Sequence, residues 1–170
     1  TDDSGNGATN GSPSVPGATF RFDHNVVDQT GINPGTGFGV YGHEDVRSQG
    51  NIFLTPSAYD FNATRNSSNQ IVGISFLTHS DYNLFSNPVF LMDHVYGPTS
   101  IAQFFSLADW QAARTTSALS LKVNNPDAHS QVITAAQTFV NAAARDYRYK
   151  AGSPALNLLG AGNHAGPYQT

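Results

Sequence analysis

The chain has 170 residues, of which 39% are apolar and 12% charged, and a net charge of −4. Its eight lysines and arginines, with Lys122 and Lys150 as the lysines, give no basic patch of useful density, so neither a nucleic-acid partner nor nucleic-acid chemistry is expected. Cysteine is absent, which excludes disulfide stapling, and no apolar run approaches the length of a membrane span.

Residues 1–17 are a polar Gly/Ser/Pro stretch that reads as a surface loop or mobile end. Residues 18–91 carry the most informative pattern. His24-Asn25-Val26-Val27, Gly50-Asn51-Ile52-Phe53 and Tyr82-Asn83-Leu84-Phe85 each place two apolar residues after an Asn, at intervals of 26 and 32 positions. Recurrence at that spacing is the mark of stacked coils, each too small to bury its apolar face alone. An Asn at each corner can lay its amide over the next and bond the backbone of its own turn. The apolar pair then sends one side chain inward, and loops are expected at 28–37 and 55–70.

The register extends upstream. Arg21, Arg47 and His79 stand four places before the Asn, and Asp23, Gln49 and Asp81 two places before. Strand alternation sends both columns to one face and the smaller or more apolar Phe20, Phe22, Val46, Ser48, Thr78 and Ser80 to the other. At a strand spacing of about 4.8 Å, Arg21 lies beside Arg47, and two guanidinium groups so close need company. Asp23 and Asp81 supply it in a solvated ionic ladder; a bound anion supplies it on a ligand face.

Residues 92–135 leave the repeat and read as an excursion. Ser106 with Asp109 resembles a capping box opening a helix through Leu107, Trp110 and Gln111. Trp110 either seats that turn against the core or offers its face to a sugar as a substrate-binding platform. The alanines between Ser130 and Ala144 favour helix by propensity, but the adjacent Thr138, Phe139 and Val140 are β-prone. We therefore expect strands near 138–140 and 146–148, with helix left open for 132–137.

Three phrases in this half carry a family resemblance. Ser86-Asn87-Pro88-Val89-Phe90 resembles a "(D/N)-P-hydrophobic-F" corner. Phe139-Val140-Asn141-Ala142-Ala143-Ala144-Arg145-Asp146-Tyr147-Arg148 resembles the phrase "FV-(D/N)-...-G-D-(Y/F)-R". Ala151-Gly152-Ser153-Pro154-Ala155-Leu156-Asn157 resembles the closing motif "GSPAIDAG". All three belong to the right-handed parallel β-helix superfamily typified by pectate lyases, and the resemblance covers roughly residues 18–163. It implies an all-β, right-handed parallel β-helix solenoid with coils over 18–91, a short helical excursion over 92–135, and a terminal coil and tail over 136–170. The closing motif is shared by enzymes and noncatalytic proteins of that architecture, so it speaks for fold more than for activity.

Chemistry then belongs to the outward columns and the loops beside them. A polysaccharide lyase needs a base near the hydrogen alpha to a uronate carboxylate and a cation for the growing negative charge, which Arg21, Arg47, His79 and His43 can supply. A glycosidase needs two carboxylates, drawn from Asp23, Glu44, Asp45 and Asp81; Asp23 and Asp81, two strands apart, would be separated by about 9.6 Å, at the edge of the inverting range. We expect Asp23, Arg47, His79 and Asp81 to be catalytic, and Arg21, His43, Asp45 and Trp110 to bind substrate. No cofactor or metal is expected: Gly35, Gly37, Gly39 and Gly42 precede no helix, and no cluster has the spacing of a closed zinc site or a calcium loop.

The expected function is that of a secreted or cell-surface polysaccharide lyase or glycosidase acting on a polysaccharide or oligosaccharide, with no membrane partner. The alternative is a noncatalytic glycan-binding, surface or structural module capping an upstream catalytic portion. About three coils leave the first one open, so we expect an upstream fragment of the same precursor, or another subunit, to cover it. Asn10, Asn62 and Asn66 each begin an N-x-S/T sequon, which can carry a glycan in a eukaryotic secretory pathway.

Overall fold

The computed structural model describes residues 19–30, 36–40, 45–61, 64–65, 71–73, 76–94, 100–115 and 121–167. In chain order these contain β1 (Thr19–Asp23), β2 (Val26–Asp28), β3 (Thr36–Val40), β4 (Asp45–Gln49), β5 (Ile52–Leu54), β6 (Ser57–Phe61), β7 (Thr64–Arg65), β8 (Ile71–Gly73), β9 (Leu77–Asp81), β10 (Leu84–Phe85), β11 (Phe90–His94) and β12 (Ser100–Phe104). Then come α1 (Leu107–Gln111), β13 (Gln131–Val132), α2 (Ala135–Thr138), β14 (Phe139–Asn141), a 3-10 turn over Ala142–Ala144, and β15 (Asp146–Tyr149).

The Asn repeat sets strand pairing and register. Arg21 pairs with Arg47 and Arg47 with His79; Val26 pairs with Ile52 and Ile52 with Leu84, all in parallel. The residue before each Asn, namely His24, Gly50 or Tyr82, has a left-handed backbone with φ of 57°, 66° and 56°. That sharp turn lets each Asn bridge two strands. Asn25 N–H donates to Asn51 Oδ1 at 2.9 Å, Asn51 N–H to Asn83 Oδ1 at 2.8 Å, and Asn83 N–H to Ser130 Oγ at 2.7 Å. Ser130, which has no place in the sequence repeat, thus closes the row.

The expected right-handed parallel β-helix solenoid is corrected. The strands divide among five small separate sheets, ordered β1-β4-β9, β13-β10-β5-β2, β12-β11-β6-β3, β14-β15 and β7-β8, and they do not stack as one solenoid. Three of the five contain antiparallel pairs: β11 with β12, β14 with β15, and β7 with β8. The physical reason is that an Asn followed by an apolar pair fixes which strands meet, whereas the intervening segments differ in length and make local antiparallel pairs of their own. The loop expected over 55–70 likewise contains β6, whose Tyr59 and Phe61 are fully buried.

Both residues of the second and third apolar pairs are buried, not one, while Val26 and Val27 are partly buried. Phe53 and Phe85 join a core with Tyr59, Phe90, Trp110 and Leu121, while Ile52 and Leu84 face a second core with Ile133, Phe139, Ala155 and Ala165. The carboxyl-terminal segment therefore folds back over the second face of β2, β5 and β10. Its small residues are needed there: Ala155 is fully buried, and a Cβ on Gly166 (φ 75°) would lie 2.5 Å from the Tyr149 hydroxyl. Ser106 caps α1 by accepting from Asp109 N–H, as its sequence suggests, and Thr134 with Gln137 forms a reciprocal capping box at α2.

Candidate cleft on the three-stranded sheet

Period-2 alternation along β4 buries Val46 and Ser48 and leaves Arg47 and Gln49 partly exposed on the other face. With β1 and β9 in register on either side, Arg21, Asp23, Arg47, Gln49 and His79 line one cleft of about 250 Å³. Of the residues expected to act, Arg21, Asp23, Arg47 and His79 are brought together there. Asp81 lies two residues beyond His79 on β9, opposite Gln49.

Arg47 does not take its counter-ion from Asp23 or Asp81. Its guanidinium meets Asp45, two residues earlier on the same strand, at 3.0 Å. Asp45 accepts further hydrogen bonds from Thr19 Oγ1 on β1, at 2.7 Å, and from Thr78 Oγ1 on β9. A register shift between Val46 and Arg47 against β9 accompanies the Thr78 contact. Asp45, expected to bind substrate, is thus an anchor spanning three strands. Arg47, then the Thr19 and Thr78 hydroxyls, hold its carboxyl far below the ordinary carboxylate range.

A stability consequence follows from that shift. Because the folded-state pKa of Asp45 lies below the ordinary 3.8, its contribution is fully present above that value and is lost as pH falls through the lower folded value. Asp28, lowered by hydrogen bonds from Thr30 and Tyr147 that outweigh its burial, acts in the same sense. We expect the melting temperature to decline as pH drops below about 4, and Asp45→Asn to flatten that decline; an acid limb of equal slope in Asp45→Asn and wild type would contradict it.

Asp81 is committed elsewhere. Its Oδ1 accepts from the backbone N–H groups of Tyr82 and His129, both at 2.8 Å, and its Oδ2 lies 2.7 Å from His129 Nδ1. Trp110 is fully buried, stacked on Phe90 with centroids 4.5 Å apart, so the sugar-platform reading is corrected: the indole is core and has no free face. His43 and Glu44, the sequons at Asn10, Asn62 and Asn66, and residues 1–17 lie outside the described residues.

Beneath the cleft lies a polar network that the sequence reading missed. Asp127 is fully buried and accepts from Ser80 Oγ at 2.6 Å, Ser130 Oγ at 2.6 Å, Asn83 Nδ2 at 2.8 Å and Trp110 Nε1 at 2.8 Å. The buried Tyr59 hydroxyl joins Ser48 and Ser80, at 2.9 and 3.0 Å. Burial pushes the Asp127 carboxyl up, against the pull of these four donors. The available signal was weak: small hydroxyls at Ser48 and Ser80 on inward positions, where a purely apolar core would carry aliphatic residues.

Among the described residues, no group of three His, Cys, Asp or Glu side chains gathers to hold a metal ion, and no helix is long and apolar enough to cross a membrane. Comparison with protein-family models, with curated proteins and with solved structures finds no match to this chain.

Proposed function

We propose that the chain is part of an extracellular polysaccharide lyase whose acidic glycan lies across the β1-β4-β9 sheet. The observation that supports this reading is the convergence of Arg21, Arg47 and His79 from three adjacent strands, with Asp23 beside them, on one open cleft. Two guanidinium groups in neighbouring register can hold a uronate carboxylate and stabilise the charge that develops as its alpha proton leaves. Lysis is favoured over glycoside hydrolysis because Asp81, the second carboxylate a hydrolase would need, is already engaged by two backbone N–H groups and His129. Among the described strands β1 is at the edge of its sheet, with Phe20 36% exposed. In this reading an upstream segment of the precursor, or a second subunit, covers that edge.

A noncatalytic acidic-glycan-binding module is the second reading, favoured by the pairing of Arg47 with Asp45, which partly neutralises the cleft. The experiment is depolymerisation of uronate-containing and neutral polysaccharides, with and without the upstream polypeptide. Arg47→Ala is expected to lower turnover of the acidic glycan by at least about tenfold, equivalent to about 1.4 kcal/mol of transition-state stabilisation, with folding preserved. Glycan binding without cleavage by wild type would select the module. Unchanged kinetics in a folded Arg47→Ala would assign Arg47 to a surface ladder.

A further inference from the structure

His129 stands outside every sequence pattern in the chain, yet its ring is held as firmly as a catalytic imidazole needs to be. Asp81 Oδ2 lies 2.7 Å from Nδ1, and the same carboxylate is fixed through Oδ1 by the His129 and Tyr82 backbone N–H groups. The Tyr82 ring stacks on the imidazole nearly parallel, with centroids 4.8 Å apart and planes 8° apart. Despite these three restraints the side chain is 62% exposed. A carboxylate can only accept, so Nδ1 carries the proton in this pair, and the neutral ring keeps its basic lone pair on Nε2. Tethering a loop to β9 requires the backbone contact alone; fixing the tautomer and plane of an exposed imidazole is what positions a proton acceptor.

The location suits that role. Asp81 follows His79 by two residues on β9, so the two side chains leave the same face about 6.6 Å apart along the strand. His79 lines the cleft, and Asp81, at the end of the same strand, holds His129 next to that lining.

We propose that His129 is the general base of the cleft and Asp81 its positioning residue, acting on a uronate-containing chain; this rests on the lyase reading above. In the step, Nε2 takes the proton from the carbon alpha to the uronate carboxylate. The electron pair left behind forms a carbon–carbon double bond and expels the glycosidic oxygen at the beta carbon, and that oxygen takes a proton from solvent or from His79. Arg21 and Arg47 hold the carboxylate, whose charge grows as the proton leaves. The products are an unsaturated uronate end and a new hydroxyl end, with no redox partner required.

The test uses the full-length protein and follows the ultraviolet absorbance of the unsaturated product. His129→Ala is expected to lower kcat at least about 100-fold with the melting temperature little changed, and added imidazole is expected to restore part of the loss. Asp81→Asn is expected to lower kcat while leaving KM near wild type, and to remove the Nδ1–H tautomer signature of His129 in nitrogen NMR. Full activity in His129→Ala, or a loss that imidazole does not restore, would overturn the assignment and leave His129 as a tether. Absence of unsaturated product from wild type on every uronate polymer would instead overturn the lyase reading itself. If the wild type cleaves and His129→Ala fails to fold, His129→Gln supplies the kinetic comparison; near-wild-type kcat there overturns the proposal.

Discussion

Asp127→Ala is expected to lower unfolding free energy by about 4 kcal/mol or more, a large part of the stability of a small domain. The substitution leaves the Ser80 and Ser130 hydroxyls, the Asn83 amide and the Trp110 indole N–H without their acceptor in a site from which water is excluded. Asp127→Asn keeps the shape but turns one oxygen into a donor. Should the amide nitrogen replace Oδ2, it would face Ser80 Oγ and Trp110 Nε1, of which only the hydroxyl can rotate to accept. A loss of about 2 kcal/mol is expected for that variant. Urea denaturation followed by circular dichroism provides the measurement, and a midpoint for Asp127→Ala within about 1 kcal/mol of wild type would show the network to be incidental.

Trp110→Ala is expected to cost about 5 kcal/mol, at the upper end for a large aromatic. The indole packs on Phe90, meets Phe104 and Tyr59 edge-on at 5.3 and 6.1 Å, and holds Asp127 through Nε1. Trp110→Phe keeps a ring in the aromatic cluster but drops the donor, and should cost about 2 kcal/mol. Because Trp110 is the chain's one tryptophan, its fluorescence reports this site alone. Emission should be blue-shifted in the folded protein and move to the red on unfolding, while an acidic glycan bound in the cleft leaves Trp110→Phe with wild-type affinity. Glycan affinity that falls in a folded Trp110→Phe would return the indole to the binding surface.

Strand pairing was legible because it depends on short-range chemistry. An Asn beside a left-handed residue, with an apolar pair after it, specifies a corner, and period-2 alternation then puts Arg21, Arg47 and His79 in one column. The cap at Ser106 was legible for the same reason. The continuous solenoid was not, since nothing in the Asn register dictates that β11 should pair back with β12 in antiparallel. The first two residues of β3, Thr36 and Gly37, fell inside the loop expected over 28–37, because glycine is depleted in strands.

Asp127 and His129 were hidden for another reason. Asn-Asn-Pro-Asp reads locally as a turn, and Asp127 does take a left-handed φ of 56°. Its burial is created by Ser80, Asn83 and Trp110, residues 17 to 47 positions away that no local pattern links to it. Asp81 was assigned to the glycan face from alternation alone. Only the return of the chain at residue 129 shows which partner claims it.

The row of amides through Asn25, Asn51 and Asn83 has a direction. Every N–H in it donates toward the higher-numbered rung, Ser130 passes its own hydroxyl proton on to Asp127 at 2.6 Å, and so all the dipoles point head to tail at one carboxylate. The two ends are therefore not equivalent with respect to growth. A duplicated Asn unit inserted between Asn25 and Asn51 would receive one hydrogen bond and give one, as its neighbours do, whereas a unit added past Ser130 would meet a terminus already saturated. Lengthening this protein by whole repeats is accordingly expected to succeed from the Asn25 side and to fail from the Ser130 side, a polarity set by a single buried acid.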